Sequence, residues 1–319
     1  MQQPTREDLE NAAEIVYRHI APTPQIAWPL LAERSGCEVW VNHENHTPIG
    51  AFKVRGGLVY MTGLRDSQPC VGGVITATRG NHGQSVALAA TKVGLRAVVV
   101  VPRGNNPEKN AAMRAFGAEL IEHGDDFQES YEYAMAQAAG QGLHPVRSFH
   151  HDLVRGVGTY SMELLNAVAD LDTVYVPIGL GSGICGMISA RDALGLKTKI
   201  AGVVAENAAA YALSFAEGRA ISTNSADTVA DGMAVRVPDE AALEMIWRGV
   251  ARIVTVSEDE IRAAMHAYYT DTHNLAEGAG AAPLAALLKE REEMAGKKVG
   301  LVLSGGNVDV GVMREVLAA

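Results

Sequence analysis

The chain has 319 residues, 48% of them apolar, with 33 glycines and a formal net charge of −10 at pH 7. That length fits one large or two intertwined α/β domains with a sizeable core, and the acidic balance argues against nucleic acid or an anionic membrane as the main partner. Three cysteines (Cys37, Cys70, Cys185) without CxxC spacing give neither a disulfide framework nor a zinc site and point to a reducing, cytoplasmic setting.

The N-terminus lacks the apolar core of a signal peptide, and no run reaches ~18 apolar residues, so no membrane partner is expected. The ten histidines are scattered, with His150 and His151 the only neighbours and no HExxH spacing; they read as surface or core residues rather than metal ligands.

In chain order, Thr5 followed by Arg6, Glu7 and Asp8 predicts an N-cap and an acidic first turn, opening an amphipathic helix to about Ile20. Next comes HTPIGAFKVRGGL, residues 46–58, where a Pro-x-Gly turn leads through Phe52, Lys53, Val54 and Arg55 to a glycine pair. That is an odd way to start a helix. Apolar, β-branched runs at 71–78, 96–102, 173–178, 199–206 and 298–305 predict strands buried on both faces, since apolar residues occupy consecutive positions. Helical stretches lie between them. Asn106-Pro107 starts one that Gly117 ends, and Ser257 to Glu260 form a capping box for another. This alternation predicts a doubly wound α/β fold with mostly parallel sheets and helices on both faces. A smaller unit at 70–146 is expected to be inserted in a larger one made of 1–69 and 147–319. The longest irregular stretch, 218–238, has a length that is usually functional inside a compact domain.

Three glycine-rich turns follow predicted strands. In ATRGNHGQSVALAA (77–90) the strand ends at Thr78, Gly80 permits a tight turn, and Asn81 is expected to cap a helix whose free first-turn amides can hold a carboxylate or phosphate. In VPIGLGSGICGMISA (176–190) a strand runs into Gly179, Gly181 and Gly183, which let the backbone approach a phosphate. Gly181-x-Gly183-x-x-Gly186 also matches the dinucleotide fingerprint, with Glu206 ending the next strand, so a nicotinamide-dependent dehydrogenase stays open at this point. In LVLSGGNVDVG (301–311) Ser304 stands at the carboxyl end of a strand, where ligands of open α/β sheets bind. Three turns thus reach one rim, and Lys53 lies on a fourth.

Lys53 in PIGAFKVRG, then RGNHGQ, the glycine-rich loop and SGGN occur in the order and spacing of the fold type II pyridoxal phosphate enzymes. The chain resembles the serine/threonine dehydratases of that class over essentially its whole length, and LSGGNVD and VSEDEI are similar also to serine racemase. The resemblance implies that Lys53 forms the Schiff base with pyridoxal phosphate and then acts as general base. A lysine in a glycine-rich, apolar-flanked turn can be desolvated, which lowers its pKa and frees the amine. Phe52 would exclude water, and Gly56 and Gly57 would relieve crowding beside the cofactor. Asn81 matches the residue that hydrogen-bonds the ring oxygen. Thr78, Arg79, Gly80, Asn81 and His82 would surround the substrate carboxylate. Gly179, Leu180, Gly181, Ser182 and Gly183 match the phosphate loop, and Ser304 the hydroxyl facing the pyridine nitrogen. A hydroxyl partner leaves that nitrogen unprotonated, which suits β-elimination.

The departures from the pattern carry their own expectations. The family's run of four glycines reads Gly179-Leu180-Gly181-Ser182, and its Gly-Gln-Gly-Thr reads Gly156-Val157-Gly158-Thr159. Arg79 stands where serine racemase has its second acid/base serine; an always-charged guanidinium is a poor proton shuttle, so racemisation is disfavoured, and Arg79 either holds a carboxylate, the substrate's second one included, or is a solvent-facing or structural residue. At the divalent-metal site that the resemblance implies, Glu206 and the Ala210 carbonyl match, but Ala212 replaces an acidic ligand. Asp227 or Asp231 would have to complete it, so metal is expected to matter little. The implied reaction converts a small-molecule β-hydroxy-α-amino acid such as L-threonine or L-serine to a 2-oxo acid and ammonia, with 3-phenylserine or 3-hydroxyaspartate as alternative substrates and serine racemisation after them. A homodimer is the implied assembly. With no regulatory domain expected after residue 319, a catabolic role without feedback control follows.

Overall fold

Consecutive apolar positions leave a strand no solvent face, and the five runs read as buried strands are central ones. The computed structural model of the chain describes residues 1–318. Its strands are β1 (Gln25–Ala27), β2 (Glu38–His43), β3 (Gly73–Ala77), β4 (Arg96–Val101), β5 (Ala118–Glu122), β6 (His144–Pro145), β7 (Thr173–Pro177), β8 (Lys199–Ala205), β9 (Arg252–Val256) and β10 (Lys298–Leu303). Six form one sheet in the order β1-β2-β10-β7-β8-β9 and four form another in the order β5-β4-β3-β6. Only β1 runs antiparallel to its neighbour; every other pairing is parallel. This is the mostly parallel, doubly wound α/β fold that the alternation predicts. Among the described residues no helix is long and apolar enough to cross a membrane.

The strands that the sequence reading passes over are short or partly exposed. β1 and β6 have three and two residues, and β5 and β9 each keep residues that are not buried. The first helix, Arg6–Tyr17, carries the Thr5–Asp8 capping box but ends before Ile20. Asn106 caps the helix Pro107–Ala115, and Ser257 with Glu260 closes the second capping box.

The helix Lys53–Ser67 packs between the helices Asn81–Lys92 and His151–Ala167. Its glycine pair serves that crossing, which corrects the expected role beside a cofactor. A Cβ at Gly56 would lie 2.8 Å from the Leu153 carbonyl oxygen, and one at Gly57 would lie 2.3 Å from Ser85 Oγ. Beneath the first turn Arg55 is fully buried. Its guanidinium donates to Glu44 at 2.7 and 2.9 Å, to both oxygens of Glu163, and to the hydroxyls of Thr23 and Thr159 at 3.1 Å. All of its donors are satisfied, as a buried charge requires.

Candidate active site

The Lys53 turn is bound to the Ser304 turn by backbone. Thr47 Oγ donates to the Ala51 carbonyl at 2.8 Å and accepts the Ala51 N–H at 3.0 Å, closing the Pro-x-Gly turn. The Phe52 N–H then donates to the Ser304 carbonyl at 3.0 Å, and the Gly306 N–H to the Gly50 carbonyl at 2.9 Å. Gly50 takes a φ of +66°, in the left-handed region, beside Asn307. The odd helix start is thereby explained. Lys53 is the first helical residue, and its ammonium lies 5.0 Å from the centre of the Phe52 ring. Burial pushes the Lys53 amine down to about 8, with Glu277 partly opposing it.

The second element is the 179–183 loop. A Cβ at Gly179 would stand 2.3 Å from the Gly232 carbonyl oxygen, and Gly181 has a φ of +104°. Both positions exclude a side chain. Gly181 precedes the helix Ser182–Ala193 and supplies no side-chain cap, so the first-turn amides are open to an anion. The Leu180 carbonyl is pinned by the Tyr211 hydroxyl at 2.9 Å. Ser182 and Ser304 are both buried.

The 78–82 turn supplies the third. The Thr78 hydroxyl accepts the N–H groups of Gly80 (3.1 Å) and Gly83 (3.3 Å), so it folds the turn. Gly80, not Asn81, is the cap residue; Asn81 begins the helix and its side chain is free to cross to the other sheet's elements. Asn81 Nδ2 donates to Glu277 Oε1 at 2.8 Å and Oε2 at 3.1 Å. Asn81 Oδ1 accepts from Asn307 Nδ2 at 2.8 Å, and Asn307 also donates to the Ile49 carbonyl. His82 is buried and driven down to about 3 by burial and the nearby Lys53 charge, so it is neutral; its Nε2 has no hydrogen-bond partner. Arg79 has a half-exposed side chain, with its guanidinium 3.6 Å from the Asp231 carboxylate.

Phe52, Lys53, the 78–82 turn, the 179–183 loop and Ser304 all line adjoining clefts, and Lys53, Asn81, Leu180, Gly232 and Glu277 are common to both. The cleft around Lys53 and the 78–82 turn measures about 150 Å³. Glu277 is the group that sequence reasoning missed. In LAEGAGAA (275–282) it precedes a helix of small residues, Gly278–Lys289, and reads locally as an ordinary acidic helix start. Burial pushes its carboxyl up to about 7, against the Asn81 hydrogen bond and the Lys109 charge. A Cβ at Gly305 would stand 2.7 Å from Glu277 Oε1, so the glycine of SGGN leaves room for it.

The residues weighed for metal do not converge. Glu206 begins a short 3₁₀ turn and is exposed, and the Ala210 carbonyl already accepts the Ser214 hydroxyl at 2.7 Å. Asp231 is engaged by Lys109 at 3.1 Å. Among the described residues no group of three or more His, Cys, Asp and Glu side chains is placed to hold a metal.

The donor set fits pyridoxal phosphate. It combines an amine of lowered pKa, a glycine loop that admits no side chain at Gly179 or Gly181, a buried hydroxyl and an unpartnered buried ring nitrogen. A dinucleotide reading uses only the cradle and leaves Lys53, Asn81 and Ser304 without a purpose.

Comparison with known proteins agrees. The L-threonine ammonia-lyase of Thermotoga maritima is 34% identical over 316 residues, covering 98% of this chain and 78% of that protein. The L-threo-3-hydroxyaspartate ammonia-lyase of Saccharomyces cerevisiae is 32% identical over 308 residues, covering 96% and 94%. The crystal structure of a pyridoxal 5'-phosphate-dependent aspartate racemase superposes with a TM-score of 0.92 at 28% identity, covering 98% of each chain. The family description "pyridoxal-phosphate dependent enzyme" matches residues 16–305, and with the lysine, cradle and hydroxyl gathered at one rim the chain belongs to that family.

Proposed function

We propose that the protein is an ammonia-lyase that dehydrates a β-hydroxy-α-amino acid, L-threonine or L-serine in the first instance, to a 2-oxo acid and ammonia. The observation that carries this is the meeting of the Lys53 amine, the 179–183 cradle and the Ser304 hydroxyl at one rim. When bound, pyridoxal phosphate supplies the electron sink for the pair left at Cα. The amides of the 179–183 loop and the Ser182 hydroxyl would hold its phosphate, Ser304 would serve its ring nitrogen, and Asn81, fixed by Asn307 and Glu277, would serve its ring oxygen.

Thr78 takes up the amides of Gly80 and Gly83, so those of Asn81 and His82 remain for the substrate carboxylate. Lys53 Nζ accepts the Cα proton, which its desolvation makes possible near neutral pH. Loss of the β-hydroxyl as water leaves an unsaturated amine, whose tautomer hydrolyses to the 2-oxo acid and ammonia. Phe52 shields the amine from solvent. The reading places the two sheets in two domains divided near residues 70 and 146, in a cytoplasmic homodimer; the three unpaired cysteines suit that compartment.

A 2-oxo acid assay over L-threonine, L-serine, 3-phenylserine and 3-hydroxyaspartate tests the assignment. L-Threonine or L-serine should yield product, whereas no product from any of the four would refute the reading. In the same panel Arg79→Ala should lower kcat/KM for every substrate by roughly tenfold, the lower end expected of a charged hydrogen bond at a half-exposed site. A loss confined to 3-hydroxyaspartate would instead assign Arg79 to a side-chain carboxylate.

Chelation of divalent metal should lower activity only slightly. The Ala210 carbonyl is occupied by Ser214, and Ala212 offers no oxygen in its side chain. A hard cation short of oxygen ligands binds weakly. A large loss restored by Mg²⁺ would show that another acid completes a site.

A further inference from the structure

The irregular 218–238 stretch has no part in the assignments above, yet it touches both halves of the site. Its Gly232 carbonyl presses on Gly179 of the cradle. Its Asp231 meets two cations from the segment that carries the four-stranded sheet. One is Arg79, at 3.6 Å and half exposed; the other is Lys109, whose Nζ lies 3.1 Å from Asp231 Oδ2. The same ammonium lies 3.0 Å from Asp309 Oδ1, on the turn that follows β10. Only 12% of the Lys109 side chain is exposed. Its stem runs against the carboxylate-binding turn, since a Cβ at Gly80 would sit 3.1 Å from Lys109 Cδ.

We infer that Lys109 is a positioning residue that straps the 218–238 segment across the cleft and thereby fixes the 78–82 turn in the geometry that receives the substrate carboxylate. The physical logic is one of charge and burial. An ammonium this little exposed needs its carboxylates, and the bridges form only while Asp231 and Asp309 lie against the other sheet's segment. Because the stem of Lys109 underlies Gly80, displacement of the ammonium moves the turn. Asn81 reinforces the arrangement through Glu277 and Asn307, which line the same cleft as Lys109, Asp231 and Asp309. Neutralised on both sides, Lys109 is poorly placed to receive a second carboxylate of the substrate. This inference rests on the amino-acid lyase reading for its kinetic arm only.

The test uses the cofactor-loaded protein and the substitutions Lys109→Met, which keeps the stem and removes the charge, Lys109→Arg and Asp231→Asn. Without substrate, Lys109→Met should speed amide hydrogen exchange in 218–238 by about tenfold or more while the sheet cores stay protected. With L-threonine it should raise KM by about tenfold for a smaller change in kcat, and the KM of the whole substrate panel should rise alike. Lys109→Arg should recover most of both effects. Combining Lys109→Met with Asp231→Asn should add little to either alone, because the two share one interaction. Unchanged exchange in 218–238, fully additive effects, or a KM effect confined to 3-hydroxyaspartate would each overturn the proposal. If no amino acid is turned over, the lyase reading fails while the exchange arm still decides the strap.

Discussion

Lys53→Ala is expected to lower turnover of the preferred substrate by about 10⁴-fold, the upper range for removing a positioned general base, and to remove the visible absorption of lysine-bound cofactor. No other amine replaces it. Lys109 is held by Asp231 and Asp309, and a guanidinium such as that of Arg79 is a poor proton acceptor. The fold should survive, since the turn before residue 53 is held by Thr47 and by the Ser304 carbonyl rather than by the lysine side chain. Stability gives an independent readout in the cofactor-free protein. The folded amine loses its proton near pH 8, while the unfolded one keeps it to the ordinary lysine range. Between those limits the unfolded state binds more protons, so wild-type stability should rise with pH there. Lys53→Ala should flatten that rise and be the more stable form below pH 8. An unaltered pH slope, or activity within tenfold of wild type, would place the reacting amine elsewhere.

Arg55→Met is expected to cost about 3–5 kcal/mol of folding free energy, the range for removing one partner from a buried ion pair. The side chain is fully buried, as is Glu44, and Glu163 is 8% exposed. Methionine fills much of the same volume but leaves two carboxylates facing each other without a cation. The cost is local to the site as well, because Arg55 lies one helical half-turn after Lys53. Urea titration should show a lower midpoint with an unchanged slope. Adding Glu44→Gln should recover part of the loss, since one uncompensated charge is then gone. A loss under about 1 kcal/mol, the range of exposed pairs, would mean that water reaches the cluster.

The parts of this molecule that were legible in the sequence are those whose cause is local. Runs such as Arg96–Val101 are apolar at consecutive positions because both faces are covered, and they announce a parallel sheet directly. The capping boxes at Thr5 and Ser257 likewise lie within four residues. The glycine turns after β3, β7 and β10 gave the rim, since strand ends of such sheets gather on one side. What escaped depends on partners far along the chain. Glu277 becomes a site residue only through Asn81, 196 positions away, and Lys109 only through Asp231, 122 positions away. Gly56 and Gly57 stand out in the sequence without their neighbours; they face helices that only the folded packing brings near. Asn81 reads as a cap because asparagine commonly caps, whereas its amide is used across the cleft and Gly80 holds the cap position.

Following L-serine with the purified, cofactor-loaded protein, and measuring 2-oxo acid, ammonia and D-serine in one reaction, separates elimination from racemisation at this site. With Lys53 as the base, and with Arg79 on the turn where the resemblance to serine racemase implies a hydroxyl, pyruvate and ammonia should appear in equal amounts, faster than D-serine. Formation of D-serine faster than pyruvate would contradict the lyase assignment, since it would require a second proton donor in place of the racemase serine, a role for which a guanidinium is poorly suited.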